Sequence, residues 1–146
     1  MAQYKEININ TNRTNVNNAT KVSQFYKGTS TVNQTSKSFS LYDMELIKQD
    51  ILNHFNVRKG EKIYNPDFGT IIWASLYEPL TEQTRQAIMD DVTAIVQSDP
   101  RVKANDITIQ EKGYGLAVQI DLEFAEFGKT ETMRLAFDRD NGIVAT

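Results

Sequence analysis

The chain has 146 residues, a net charge of −3, 40% hydrophobic and 24% charged residues, and no cysteine. That is enough for one domain with a packed core, or a small domain plus a tail. Lack of cysteine excludes disulfides, thiol nucleophiles and cysteine-ligated zinc and fits a reducing cytoplasm; the mildly acidic balance gives no reason to expect nucleic-acid binding.

Residues 1–40 stand apart in composition, with 18 Asn, Thr and Ser residues and five basic residues against one acidic residue. So polar a segment has little apolar surface to bury. Residues 1–39 are expected to be an extended or disordered N-terminal arm, and residues 40–146 a compact domain. Two readings of the arm stay open: a disordered leader, or a segment that orders on a partner. The adjacent aromatics Phe25 and Tyr26 favour the second. Residues 1–6 lack the apolar core of a signal peptide. No apolar stretch approaches the roughly 20 residues that span a bilayer. The expectation is a soluble protein, cytosolic when made, with no membrane partner.

Residues 41–55 predict a helix. Leu41, Met44, Ile47, Ile51 and Phe55 recur at spacings of three or four, and Leu46 and Leu52 widen the stripe. Ser40 is a candidate N-cap, with Asp43 three residues on. Residues 58–70 are loop by composition: Asn65-Pro66 favours a turn, and Gly69 can take positive φ at no steric cost. Residues 71–77 predict a helical turn or two, stopped before Pro79. Thr81 caps a second main helix whose apolar stripe is Ile88, Met89, Val92, Ile95 and Val96. Asp90, Asp91 and Gln97 are expected to face water. Pro100 ends the helix by about Ser98.

From residue 106 the period becomes two. Ile107 and Ile109 open a strand, and Lys112-Gly113-Tyr114-Gly115 is a turn. Leu116, Val118, Ile120, Leu122 and Phe124 alternate with more polar residues in a second strand. Met133, Leu135 and Phe137 do the same in a third. Asn141-Gly142 is a type I′ hairpin signal, but few residues remain to pair after it. The expected fold is α+β: two main helices packed on a three-stranded antiparallel meander, with the extended arm outside.

Catalytic chemistry has little support. His54 is the only histidine, so a nucleophile–base pair or transition-metal site lacks partners. The seven glycines never form a phosphate-binding pattern. Glu61, Asp67 and Glu78, near Phe68 and Trp73, are the candidate carboxylates for glycoside hydrolysis, which requires two. In a chain with 19 acidic residues such groupings arise by chance. The expectation is no enzyme, no cofactor and no metal.

Three motifs recur in a particular order. Arg58-Lys59-Gly60 is followed by Asn65-Pro66-Asp67-Phe68-Gly69, and Asp99-Pro100-Arg101 begins 29 residues after Thr70. With Leu76-Tyr77-Glu78 and Pro79-Leu80-Thr81 before the long helix, this resembles the baseplate wedge and sheath-initiator family of contractile phage tails and type VI secretion baseplates. The resemblance covers about residues 38–140. In that family the helix ends in Glu-Pro-Arg; here Asp99 is one methylene shorter, so its salt bridge must be closer or remodelled. The leader exceeds that of compact members.

The resemblance implies a structural adaptor in the tail baseplate of the virion, made in the host cytoplasm, with about six copies around the tube. Implied partners are other baseplate wedge proteins, the tail sheath subunit and the tail tube. Asp99, Pro100, Arg101, Arg58, Thr132 and Arg134 are the implied partner-binding residues. Arg101 can instead satisfy local carbonyls at the helix end. Gly60, Asn65, Pro66, Asp67, Phe68 and Gly69 form a structural turn, with Phe68 plugging the core and Asp67 capping the next helix. Residues 130–134 are expected to be an open sheet edge able to accept a sheath arm. Three alternatives remain: a lysozyme-like glycoside hydrolase of the tail, the equivalent baseplate component of a type VI secretion or other contractile system, and a binding module whose arm folds on its partner.

Overall fold

The structure, a computed structural model, describes residues 26–30 and 40–145. The rest of the expected arm, Phe25 included, lies outside the described residues. The elements in order are β1 (Lys27–Thr29), β2 (Ser40–Tyr42), α1 (Asp43–Asn56), α2 (Ile72–Ser75), α3 (Glu82–Gln97), β3 (Val102–Lys112), β4 (Gly115–Phe124), β5 (Lys129–Asp138) and β6 (Gly142–Ala145).

Both main helices form where the apolar spacing predicts them. Ile47, Ile51, Leu52 and Phe55 of α1 are buried, as are Ile88, Val92, Ile95 and Val96 of α3. Thr81 caps α3 as expected, its hydroxyl oxygen accepting from the Thr84 N–H at 3.2 Å. Pro100 prevents α3 from continuing.

The start of α1 differs from the expectation. Ser40 is not its N-cap, because Ser40–Tyr42 is extended and pairs antiparallel with Lys27–Thr29. Tyr42 occupies the cap position and gives no side-chain cap hydrogen bond. The Asp43 carboxylate turns back instead and accepts from the Tyr26 N–H at 2.9 Å. The Asp43 N–H donates to the Tyr26 carbonyl at 3.1 Å. Asp43 has φ +49°, the left-handed region that Asp tolerates better than most residues. A Cβ on Gly28, beside this corner, would stand 2.3 Å from Leu46 Cδ1, so the Leu46 side chain would have to move to admit one.

The main sheet has four strands in the order β3-β4-β5-β6, not three. The Asn141-Gly142 turn is followed by four residues that pair with the end of β5, from Leu135↔Ala145 to Asp138↔Gly142. So short a strand suffices because β5 already supplies a template, and Ile143 and Ala145 pack against the core. The first strand begins at Val102, four residues before the period of two becomes visible, because a bulge between Ala104 and Asp106 breaks the alternation.

One face of the sheet carries the core. Leu116, Val118, Ile120, Leu122 and Phe124 of β4 and Met133, Leu135 and Phe137 of β5 are buried there beneath the helices. Phe55 meets Phe137 edge-on at 6.0 Å, and Trp73 meets it at 5.3 Å. Each enclosed side chain of this size contributes roughly 1.5–3 kcal/mol. Trp73 Nε1 donates to the Phe55 carbonyl at 2.8 Å, satisfying the end of α1.

Candidate functional site

Where α3 ends and β3 begins, Asp99-Pro100-Arg101 forms one wall of a shallow cleft of about 420 Å³. Ile51 and His54 of α1, Phe68 of the long loop and Ile95 of α3 line the rest. Pro100 forces the chain out of the helix, and the turn swings the Arg101 guanidinium back toward α1. Arg101 Nε donates to Asp99 Oδ1 at 2.9 Å and to Oδ2 at 3.1 Å. Its Nη2 bonds both Asp99 Oδ2 and Asp50 Oδ2, the latter at 2.8 Å. Asp99 thus meets the arginine fork with both carboxylate oxygens from two residues away.

Two more elements meet at this residue. The Arg101 carbonyl accepts from the Ala125 N–H at 3.1 Å, fixing the β4–β5 turn. Tyr26 lies with its ring 5.3 Å from the guanidinium carbon. Its hydroxyl donates to Glu126 Oε1 at 2.6 Å. Charge follows contact. The hydrogen bond from Arg101 holds the Asp99 carboxyl below its ordinary range, and the bond to Asp99 pushes the arginine further up. The bond to Glu126 raises the Tyr26 hydroxyl. With both carboxylates already on the guanidinium, Arg101 is a four-way joint between α1, the helix–strand junction, the β4–β5 turn and the end of the leader.

The long loop is held by a residue whose charge argues for water but whose place on the helix is inward. Asp91, expected to face water, is buried. Its Oδ2 accepts from Thr70 Oγ1 at 2.7 Å and from the Ile71 N–H at 3.1 Å. Lys59 Nζ lies 3.6 Å from Oδ1. The signal was present: Asp91 stands three residues after Ile88 and four before Ile95, on the buried stripe. Thr70 in turn accepts from the Ile72 N–H at 3.2 Å, so Thr70 and Asp91, not Asp67, satisfy the start of α2. Asp67 is exposed.

The turn motif closes as a loop. Thr70 N donates to the Val57 carbonyl at 2.9 Å, and Gly60 N to the Pro66 carbonyl at 2.8 Å. Gly69 has φ +113°, and a Cβ on it would lie 2.7 Å from the Val57 carbonyl oxygen. Phe68 is half-buried rather than a core plug. It stacks on His54 with centroids 3.9 Å apart, and Lys62 Nζ sits 4.3 Å above it. Burial is the main reason that the His54 pKa falls below its ordinary value.

The other expected partner-facing residues are dispersed. Arg58 lies 6.0 Å from the Trp73 ring, on the side of the molecule where Trp73 meets Phe137. Thr132 donates to Asp121 Oδ1 at 2.6 Å. Arg134 is exposed on the outer face of the sheet, beside a groove that includes Gln119, Ala136 and Val144. Val102, Phe124 and Lys129 share one register row, so the Arg101 site and the start of β5 occupy the same end of the sheet. Because β6 covers only Leu135 to Asp138, residues 129–134 of β5 have no strand on that side among the described residues. Among the described residues no group of three or more acidic or histidine side chains could hold a metal ion. None of their helices is long and apolar enough to cross a membrane.

Comparison with known proteins gives two findings. The profile of the family described as baseplate wedge protein gp25 matches residues 42–126, more than half the chain, from the end of β2 to the β4–β5 turn. The crystal structure of a Geobacter sulfurreducens protein, provisionally called a tail lysozyme, superposes with a TM-score of 0.56 at 19% identity, covering 64% of this chain and 88% of that one. At that identity the likeness is one of fold. No curated protein matches the chain.

Proposed function

Because the chain belongs to the baseplate wedge protein gp25 family, we propose that this baseplate component is the subunit on which the sheath of a contractile phage tail begins to polymerise. The observation that carries this reading is the half-open edge of β5. Residues 129–134 offer a row of backbone donors and acceptors, and β6 leaves them uncovered. An extended arm of a sheath subunit can add there as a strand, its affinity coming from main-chain hydrogen bonds. The neighbouring Arg101 joint holds the β4–β5 turn that launches this strand, so it keeps the acceptor edge in place. Other wedge proteins and the tail tube are the remaining partners, with about six copies around the tube.

The role is structural rather than hydrolytic. A glycosidase needs a general acid whose pKa is raised by enclosure. Glu61, Asp67 and Glu78 are all exposed, which supports the structural reading. The same acceptor chemistry would serve a type VI secretion baseplate.

Co-expression with the sheath subunit from the same genome, followed by negative-stain microscopy, tests this. Short tubes or rings capped at one end by the protein are expected. Consecutive N–H groups of a strand point to opposite sides, so one of Glu131→Pro and Thr132→Pro removes an outward donor. That variant should stay folded and lose the tubes. Tubes that form equally well without the protein would refute the initiator role.

A further inference from the structure

Residues 40–43 answer to two signals that disagree. Ser40 and Asp43 stand three apart, the spacing of a capping box, and Leu41 falls three residues before Met44 on the apolar stripe of α1. Both features place the start of the helix at Leu41. In the structure it starts at Asp43, because Ser40–Tyr42 pairs with β1. Strain and switching concentrate at positions where a local signal loses to a distant contact.

The docked arrangement rests on few contacts. β1 supplies three residue pairs, Lys27↔Tyr42, Gly28↔Leu41 and Thr29↔Ser40. Tyr26 supplies most of the rest: its backbone exchanges two hydrogen bonds with Asp43, its ring lies by Arg101 and its hydroxyl donates to Glu126. Two features oppose it. Asp43, at φ +49°, is the only non-glycine residue with positive φ among the described residues. The helix also begins at Tyr42 without a side-chain cap.

Both costs vanish if Asp43 returns to the ordinary helical region. With Ser40 as N-cap, Asp43 occupies the third helical position. The Asp43 N–H, which now donates to the Tyr26 carbonyl, then donates to the Ser40 hydroxyl. The Asp43 carboxylate, which now accepts from the Tyr26 N–H, then accepts from the Ser40 N–H and lies in the positive first turn. Each bond that Asp43 makes to Tyr26 thus has a replacement on Ser40, and Leu41 joins the apolar stripe.

We propose that residues 40–43 are a two-state joint: with β1 docked they hold the strand and left-handed corner, and when β1 detaches they wind into the first turn of α1 with Ser40 as its cap. The second state takes Tyr26 away from Arg101 and Glu126, at the turn that starts β5. A pull on the leader is thereby felt at the acceptor edge, a use of the joint that rests on the baseplate reading above.

Carbon chemical shifts of the full chain test this. Tyr26→Ala removes the ring and hydroxyl that hold β1 and leaves the sequence from Ser40 to Asp43 unchanged. Leu41, Tyr42 and Asp43 should move to helical Cα shifts, with the Ala125 and Glu126 amide signals moving too. Tyr26→Phe, a milder variant that loses only the bond to Glu126, should move the same signals the same way by less. Adding Ser40→Ala to Tyr26→Ala should reverse much of the helical change. Extended or random-coil shifts at residues 41–43 in both Tyr26 variants would overturn the joint. Helical shifts that ignore Ser40→Ala would overturn the exchange of partners on which it turns. These readouts need no sheath subunit, so a failure here leaves the baseplate reading standing.

Discussion

The ring of Tyr26 rests 5.3 Å from the guanidinium carbon of Arg101, so a residue of the leader completes the environment of the arginine that follows Pro100. The contact binds two parts of the chain that are 75 positions apart in sequence. It also links the end of the leader to the turn that starts β5, because Tyr26 bonds Glu126 and Arg101 bonds Ala125.

Arg101→Ala should therefore weaken several elements together. It leaves Asp50 and Asp99 facing each other without their cation and frees Tyr26. The domain should still fold, with a loss of about 1–3 kcal/mol in urea titration. Trypsin should then cut at Lys27 more readily than in the wild type. Arg101→Lys should fall between the two, since it keeps the charge without the planar fork. An unchanged urea midpoint with unchanged cleavage would show that the joint is idle.

Asp91→Ala removes the acceptor for two buried donors and the counter-charge of Lys59. The expected loss is about 2–4 kcal/mol. Hydrogen exchange should rise at Lys59, Thr70 and Ile71 before it rises in the sheet. Thr70→Val should cost less, about 1 kcal/mol, because the Ile71 N–H keeps its partner. Equal losses from the two variants would assign the anchoring to Thr70 instead.

Two glycines of the loop should respond differently to alanine. Gly69 combines φ +113° with backbone atoms that leave no room for a Cβ, whereas Gly60 at φ +88° has open space around it. Gly60→Ala should cost about 1 kcal/mol from conformation alone. Gly69→Ala should cost more and displace residues 57 and 58, which thermal unfolding and backbone chemical shifts would detect. Similar melting temperatures for the two variants would contradict this ranking.

Stability should fall with acidification in two stages. His54 has a folded pKa below its ordinary value of 6.5, chiefly through burial, so the unfolded chain binds its proton first. The His54 contribution is complete above that value and is lost as pH drops through it toward the folded pKa. Asp99 is likewise depressed from its ordinary 3.8, by Arg101, so its contribution is complete above that value and is lost at lower pH. Urea midpoints measured across the acid range should show both stages. His54→Gln should abolish the first, and Asp99→Asn should reduce the second, to which Asp138, depressed by the Asp140 and Asn141 N–H groups, also contributes. A first stage that persists in His54→Gln would point to another group.

The parts of this fold that repeat are the parts the sequence reveals. The stripe from Ile47 to Phe55 and the alternation from Leu116 to Phe124 each place several large side chains on one face, so a single exception does not hide the period. Asp91 was missed because its charge argues for water, while its position argues for the core. The buried donors that decide between them come from Thr70 and Ile71, far along the chain. Ser40 looked like a cap because β1, which draws it into a strand, lies in a segment with no apolar period. The last strand is too short to show a period of its own, although its turn is plain in Asn141-Gly142. Around Arg101, the side chain and the motif were legible, but its partners Asp50 and Tyr26 are set only by the way α1 and β1 dock. Of the expected partner-facing residues, Asp99 and Arg101 meet at one joint, whereas Arg58 lies by Trp73 and Arg134 on the outer face of the sheet.

The uncovered stretch of β5 has a mechanical consequence. Antiparallel hydrogen bonds run across the strands. A chain laid alongside residues 129–134 and pulled along its own length would load every one of those bonds at once, in shear. Pulled sideways, it would open them one at a time, like a zipper. The strength of such a joint thus depends on the direction of traction, so an attached assembly that shortens or twists along the strand axis would meet it in its strongest orientation.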